Sequence, residues 1–396
     1  MACNTYHVAH KIRQPLTSLY NSKASRSFIA TFPVRTGSSR PLSAATVSCS
    51  SFTWDDVVRV SQPDYLPDDS SDLHGYFEKI KICNRGTQNQ SDFFPFIIED
   101  QIVGYVHNCF ANQLRRFHDV FVHSENNGGG YGSYVSLNSK LRTPEERTRA
   151  VGEVIKCLGE EQLIPGIRNE LYPVSSSFGA PILFSLERAA APYFGIKAYG
   201  VHMNGYVERN GKKFLWIGKR SEVKPTYPGM LDHLVAGGLS RISYDEKSDS
   251  YRKSWQYWEV QILQLLQLDR VRPHGIACGE NLIKECEEEA GIPRSLSSRA
   301  VPVGAVSYMD INGYGYKRDV LFCYDLKLPE DFVPKNQDGE VEGFQLIPVT
   351  QAANVIRRTE FYKPNCSLVI IDFLYICPEY YGYLDLLQSL RSGDCS

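Results

Sequence analysis

Lys284-Glu285-Cys286-Glu287-Glu288-Glu289-Ala290-Gly291-Ile292 is the stretch on which the reading of this chain turns. It sits in a predicted helix over Asn281–Ala290. Glu288 and Glu289 follow Glu285 by three and four residues, so the three carboxylates share one helical face. Ile283, Cys286 and Ala290 share the opposite face, which can meet a core. Like charges at this spacing cost roughly a few tenths of a kcal/mol per pair, and a hard divalent cation removes that cost. Mg²⁺ takes oxygen ligands, commonly a few carboxylates, water and substrate phosphate. The pattern therefore suits metal-assisted hydrolysis of a phosphoanhydride, in which phosphate is polarised and water activated. A solvated acidic face is the plain alternative for such a charge run.

The surroundings alternate strands and helices. Upstream, Ala198–Val207 reads as a strand, Arg209-Asn210-Gly211-Lys212 as a hairpin turn with Asn-Gly at its centre, and Lys213–Arg220 as the returning strand. Downstream, Val301–Met309, Tyr316–Tyr324 and Gly343–Pro348 read as strands, and a helix is expected near Gln351–Arg358. A first block, from about Phe52 to Gly195, shows no catalytic pattern of acids, histidines or glycines. Within it Phe96–Val106 looks like two strands around a tight acidic turn. Thr143, Pro144 and Glu146 form a helix start, a capping box with proline in the first turn, and Val151, Val154, Ile155 and Leu158 fall on one face after it. Ser185–Ala191 reads as a short helix stopped by Pro192. Asn126–Gly130 lacks the Lys-Ser/Thr of a phosphate-binding loop and reads as an ordinary glycine-rich loop.

The whole chain has 396 residues, enough for two domains with tails. A net charge of −2 offers no global basic field, so nucleic acid is not an expected partner. No apolar run approaches a membrane span. The 11 cysteines contain no C-x-x-C pair and fit no zinc spacing, so reduced, buried thiols are expected. From Met1 to Thr53 there is no acid, while Lys11, Arg13, Lys23, Arg26, Arg35 and Arg40 stand among dense Ser and Thr. Residues 1–51 thus read as an organelle transit peptide, for the chloroplast rather than the mitochondrion.

The 284–292 stretch is similar to the signature of the Nudix hydrolases, whose core runs Arg-Glu-apolar-x-Glu-Glu-x-Gly-apolar. Lys284 replaces the arginine, and Glu285, Glu288, Glu289, Gly291 and Ile292 match. The family's opening glycine corresponds to Gly237-Gly238, after Tyr227-Pro228-Gly229-Met230-Leu231-Asp232. Over the whole mature chain, Glu187–Ile196 together with the signature resembles a plant and fungal subfamily related to thiamin pyrophosphokinase.

That resemblance implies an α/β fold, the Nudix α/β/α sandwich with a mixed sheet at 196–396, preceded by a smaller α+β N-terminal domain at 52–195. It implies that Glu285, Glu288 and Glu289 bind Mg²⁺ or Mn²⁺ and that Lys284 orients them. Glu340, in the acidic segment Asp338–Phe344, becomes a candidate extra ligand or general base, and Lys219 and Arg220 candidates for substrate phosphate. The implied partner is a small-molecule diphosphate, thiamin diphosphate-like compounds and their damaged forms first, nucleoside diphosphate derivatives such as ADP-ribose or NADH second. Two departures stand out. The family's early glutamate would fall on Ile276, with Glu280 nearby but not equivalent. An atypical segment, Ser240–Arg272, also separates the glycines from the helix. It reads as an amphipathic helix on the domain or at a partner, as a well-tolerated surface loop, or else as translated non-coding sequence. The last is favoured, because catalytic groups must be held within about an ångström of their places. On that reading the chain is a catalytically impaired binding protein or splice product. Oligomeric state is left open.

Overall fold

The computed structural model describes residues 52–63, 65, 73–124, 132–239 and 278–375. The predicted leader, the glycine run at 126–130, the 240–272 segment and Ile276 lie outside the described residues.

A mixed seven-stranded sheet forms the centre of the C-terminal half. Its strands are β7 (Lys197–Arg209), β8 (Lys212–Arg220), β9 (Leu231–Asp232), β10 (Val235–Gly238), β11 (Val301–Asn312), β12 (Gly315–Lys327) and β13 (Val341–Pro348). The order is β11-β12-β7-β8-β13, with β10 paired to β7 and β9 to β8. β12 runs parallel to β7 and the remaining pairs are antiparallel. The β7–β8 turn is the predicted hairpin. Asn210 and Gly211 both take positive φ, 51° and 73°, as a turn matched to strand twist requires.

Each face of the sheet is covered by helices. On one, Leu215, Ile217, Val306, Tyr308, Leu321 and Ile347 pack beneath four helices: α1 (Trp54–Ser61), α2 (His74–Cys83), α8 (Val349–Arg358) and α9 (Pro364–Tyr375). On the other, Val201, Met203 and Trp216 meet α6 (Cys278–Ala290), which is followed by the short α7 (Arg294–Ser297). This is the expected α/β/α sandwich. Two of its covering helices come from the start of the chain. Arg358 Nη1 donates to the Val60 and Gln62 carbonyls at 2.8 and 2.7 Å, and Asn354 Nδ2 donates to Ser61 O at 2.9 Å. The orphan carbonyls at the end of α1 are thereby satisfied by α8.

Residues 93–196 build a second core. β1 (Phe93–Ile98), β2 (Gln101–His107), β3 (Phe121–Ser124) and β4 (Tyr134–Leu137) form a sheet ordered β2-β1-β4-β3. It packs with α3 (Asn108–Leu114), α4 (Pro144–Glu160), the hairpin β5 (Leu171–Val174)–β6 (Phe184–Glu187) and α5 (Ala191–Phe194). The acidic turn between β1 and β2 holds Glu99 and Asp100 at φ 50° and 60°. Thr143 and Glu146 form the predicted capping box, with Pro144 in the first turn. The helix expected over Ser185–Ala191 is there only in its second half, where a 3₁₀ turn at Arg188–Ala190 runs into α5. Phe184–Glu187 is a fully buried strand, and Pro192 opens α5 rather than ending a helix, because proline's missing N–H is harmless in a first turn. Arg85, just after α2, makes a two-point pair with Asp310 of β11, at 2.9 and 2.8 Å.

Candidate metal and active site

α6 buries Leu282, Cys286 and Ala290, one residue per turn, against the sheet. Leu282 takes the place expected of Ile283, which is half-buried. That rotation directs Glu285 and Glu289 toward β10. Glu289 Oε2 accepts the Ala236 backbone N–H at 2.9 Å. Glu285 lies across Gly237, where a Cβ would stand only 2.4 Å from the glutamate's Cγ and Cδ, so a side chain at this position would force Glu285 to shift. Glu288 is half-exposed and pairs with Lys284 at 2.8 Å. Lys284, in the place of the signature's arginine, thus holds one of the three carboxylates.

Burial raises the carboxyl pKa values of Glu285 and Glu289, that of Glu289 far above its ordinary range. Lys284 opposes the rise at Glu285, while Glu288, Glu340 and Asp338 add to it. At Glu289 the Ala236 N–H opposes it, and Glu285, Asp232 and Glu340 reinforce it. Partly desolvated carboxylates that repel one another are a donor set of hard oxygens lacking positive charge, and they fit a hard divalent cation.

The segment bearing Glu340 docks on the end of α6. Lys335 N–H donates to Ala290 O at 3.0 Å, and Gly291, at φ 62°, packs against Gln337. Glu340 pairs with Lys224 at 2.6 Å, and its carbonyl accepts the Ser221 N–H at 2.9 Å. Glu285 and Glu289, both half-buried, feel its charge.

The two basic candidates are engaged in ion pairs apart from this group. Lys219 shares its strand face with Ile217, packs over Phe52 at 5.8 Å and pairs with Glu342 at 2.8 Å. Arg220 gives Nε to Tyr227 O, Nη2 to Thr226 O, both at 3.0 Å, and Nη1 to buried Asp232 at 2.7 Å. Its guanidinium is consumed in holding the 226–232 segment. Glu280 is likewise turned aside into a bidentate pair with Arg294, at 2.7 and 2.9 Å.

Sequence reasoning did not single out the Ala236 amide, Lys224 or an aromatic group beside the glycines. A backbone amide leaves no trace in residue type, and Lys224 stands far along the chain from the acid it meets. The Tyr172 hydroxyl lies against Gly238. The next N–H, of Leu239, donates to Tyr199 O at 2.9 Å. Phe178, 47% exposed, meets the Tyr199 and Phe322 rings at 5.1 and 4.7 Å, and those two lie nearly parallel, 6.2 Å apart. A cavity of about 650 Å³ between α4 and the β5–β6 hairpin, lined by Val151, Ile155 and Leu186 among others, includes none of the candidate residues.

Residues 75–198 match a family model described only as a domain of unknown function, DUF4743. Over 366 residues the chain is 60% identical to Nudix hydrolase 20, chloroplastic, of Arabidopsis thaliana, covering 90% of this chain and 88% of that protein. The chain belongs to the Nudix hydrolase family. It is 55% identical over 394 residues to a second Arabidopsis thaliana protein, Nudix hydrolase 24, chloroplastic, covering 96% of this chain and 97% of that one. An uncharacterized protein of Saccharomyces cerevisiae, YJR142W, is 36% identical over 277 residues, covering 64% of this chain and 70% of that one. As a Nudix hydrolase the chain is an enzyme that cleaves phosphoanhydride bonds with a divalent metal ion, and it is a chloroplast protein. Among the described residues no helix is long and apolar enough to cross a membrane.

Proposed function

We propose that this Nudix hydrolase acts on thiamin diphosphate-like compounds, including damaged forms, and belongs to the subfamily related to thiamin pyrophosphokinase. The observation that carries the reading is the Phe178–Tyr199–Phe322 group beside Gly237 and Gly238. Aromatic faces attract a cationic ring, because the quadrupole presents negative charge to it, and desolvation strengthens the attraction. The thiazolium of thiamin carries such a charge, whereas the adenine of ADP-ribose is neutral. Nucleoside diphosphate derivatives are the second substrate class, since a neutral base can also stack there.

In this reading Glu285, Glu288 and Glu289 hold Mg²⁺ or Mn²⁺. When bound, the ion polarises the diphosphate and lowers the cost of ionising water. Gly237 leaves room for Glu285, and the Ala236 N–H fixes the Glu289 carboxylate. Glu340 takes the proton from the attacking water, with Lys224 holding its carboxylate in place. We further propose a plastid leader at 1–51, an N-terminal block at 52–195 whose first two helices cover the Nudix sheet, and the Nudix domain at 196–396, with 240–272 as an insert.

The test of the substrate is Phe178→Ala, assayed on thiamin diphosphate and on ADP-ribose. A lost cation–π contact of about 1–2 kcal/mol raises KM for thiamin diphosphate roughly 5- to 30-fold, with a smaller change for ADP-ribose. Equal effects on both substrates, or none, would overturn the cationic-ring reading.

A further inference from the structure

Three side chains outside the glutamate site converge close to it. His202 lies on β7, His233 in the turn between β9 and β10, and Cys366 in the first turn of α9. All three are buried. A ring nitrogen of each histidine and the Cys366 Sγ lie within 4.8 Å of one another, and the two rings meet edge to face at 5.0 Å. His202 Nδ1 and His233 Nε2 are enclosed and have no hydrogen-bond partner. Buried polar atoms are almost always paired, because an unpaired one loses its hydration with nothing in return. Two adjacent imidazoles, each with an orphan nitrogen, beside a thiol call for a common partner.

We propose that His202, His233 and Cys366 bind a structural Zn²⁺, with Asp232 as the fourth donor, distinct from the cation at the glutamates. Imidazole nitrogen and thiolate sulfur select zinc over magnesium or manganese, which prefer oxygen. A tetrahedral ion with Zn–N near 2.0–2.1 Å and Zn–S near 2.3 Å sets its donors about 3.3–3.8 Å apart. Side-chain rotation of about an ångström closes the observed group to that size. Asp232 adjoins the group: its Oδ1 accepts from Cys366 Sγ at 2.6 Å and from the His233 backbone N–H at 2.8 Å. On binding, the Cys366 S–H bond breaks, its proton leaves to solvent, and the sulfur's electron pair forms the Zn–S bond. Oδ1 then gives its lone pair to zinc instead of to the thiol proton. The thiolate brings one negative charge to the ion, and the Asp232 carboxylate shares its charge between the ion and the Arg220 and Lys363 cations. Arg220 Nη1 and Lys363 Nζ remain on Asp232 Oδ2, at 2.7 and 3.4 Å, and orient the carboxylate. The ion would staple β7, the β9–β10 turn and α9. Next to that turn, β10 presents the Ala236 N–H and Gly237 to the glutamates, so zinc would act on hydrolysis by holding this strand in position.

The experiment is metal analysis and zinc-edge X-ray absorption on the full chain, purified from zinc-supplemented cells and dialysed against excess Mg²⁺. One retained zinc per chain, with sulfur and imidazole scattering around it, is expected. Zinc retention should persist in Glu288→Gln and fall away in Cys366→Ser. Substituting Co²⁺ should give the wild-type protein a thiolate charge-transfer band that Cys366→Ser lacks. If Cys366→Ser does not fold, the wild-type donor set still decides. Substoichiometric zinc, an all-oxygen donor set, or full zinc retention in a folded Cys366→Ser would overturn the proposal.

Discussion

Arg220 illustrates how a residue's worth depends on what its charge meets. It reads as a basic side chain at a strand end near a phosphate site, and it is instead bound to Asp232 and two carbonyls. Removing one partner of a buried ion pair costs about 3–5 kcal/mol because the other charge stays behind. Lys363 still faces Asp232, so Arg220→Ala should destabilise by the lower end, about 3 kcal/mol, in a denaturant melt. A normal melt with a raised KM would instead restore Arg220 to substrate binding. Asp325 makes a pH prediction. It accepts Asn204 Nδ2 at 3.1 Å, and burial, reinforced by Asp372, lifts its carboxyl to about 6. A carboxyl raised above its unfolded value stabilises the fold below that unfolded value, near 4, and the contribution is lost as pH rises through about 6. Asp325→Asn should therefore gain about 1–2 kcal/mol at neutral pH, after discounting for solvent contact, and nothing in acid. Melts across that range would show it, and a gain that does not vary with pH would contradict the assignment. That the three signature glutamates neighbour one another on α6 was legible in sequence, because residue order along a helix determines which side chains are neighbours. The uses of Lys219 and Arg220 were not, because a strand's two faces differ only in what other segments bring to them.

At the scale of elements, periodicity and turn chemistry carried most of the reading. Asn210-Gly211, the capping box at Thr143 and the strands flanking them are local features, and they stand as expected. Ser185–Glu187 failed as a helix because its burial on both faces and its pairing with β5 override weak local preference. The tie between β10 and α6 bears on the 240–272 segment. Asn281 Nδ2 donates to Gly238 O at 3.4 Å, so the described residues on either side of it meet directly. Closing a longer loop between ends already held together adds little cost, about 0.6 kcal/mol for each doubling of length. Deleting 240–272 should leave hydrolysis within a few-fold of the full chain, provided that Glu285 and Glu289 keep their contacts with Gly237 and Ala236. A large gain in activity on deletion would identify the full chain as the impaired form.

Across the whole molecule, sequence blocks and packing layers do not coincide. α1 and α2 lie at the start of the chain yet cover the Nudix sheet, whereas residues 93–196 form their own core. No local pattern announces this, since an amphipathic helix states that it must bury a face and not against what. The histidine–cysteine cluster has the same origin. Its members are scattered through the chain, so spacing rules for zinc had nothing to detect. The aromatic group is also assembled from distant segments, with Phe178 from the first block and Tyr199 and Phe322 from the Nudix sheet.

The most direct measurement is phosphate release by the mature chain from thiamin diphosphate, an oxidised analogue, ADP-ribose and NADH, with and without Mg²⁺, beside Glu288→Gln and Glu340→Gln. Release should require the divalent ion, favour the thiamin compounds, be lost in Glu288→Gln, and fall about 10²- to 10⁴-fold in Glu340→Gln, the range for a general base. Release that persists without metal or survives Glu288→Gln would contradict the glutamate site, and a clear preference for ADP-ribose or NADH would contradict the proposed substrate.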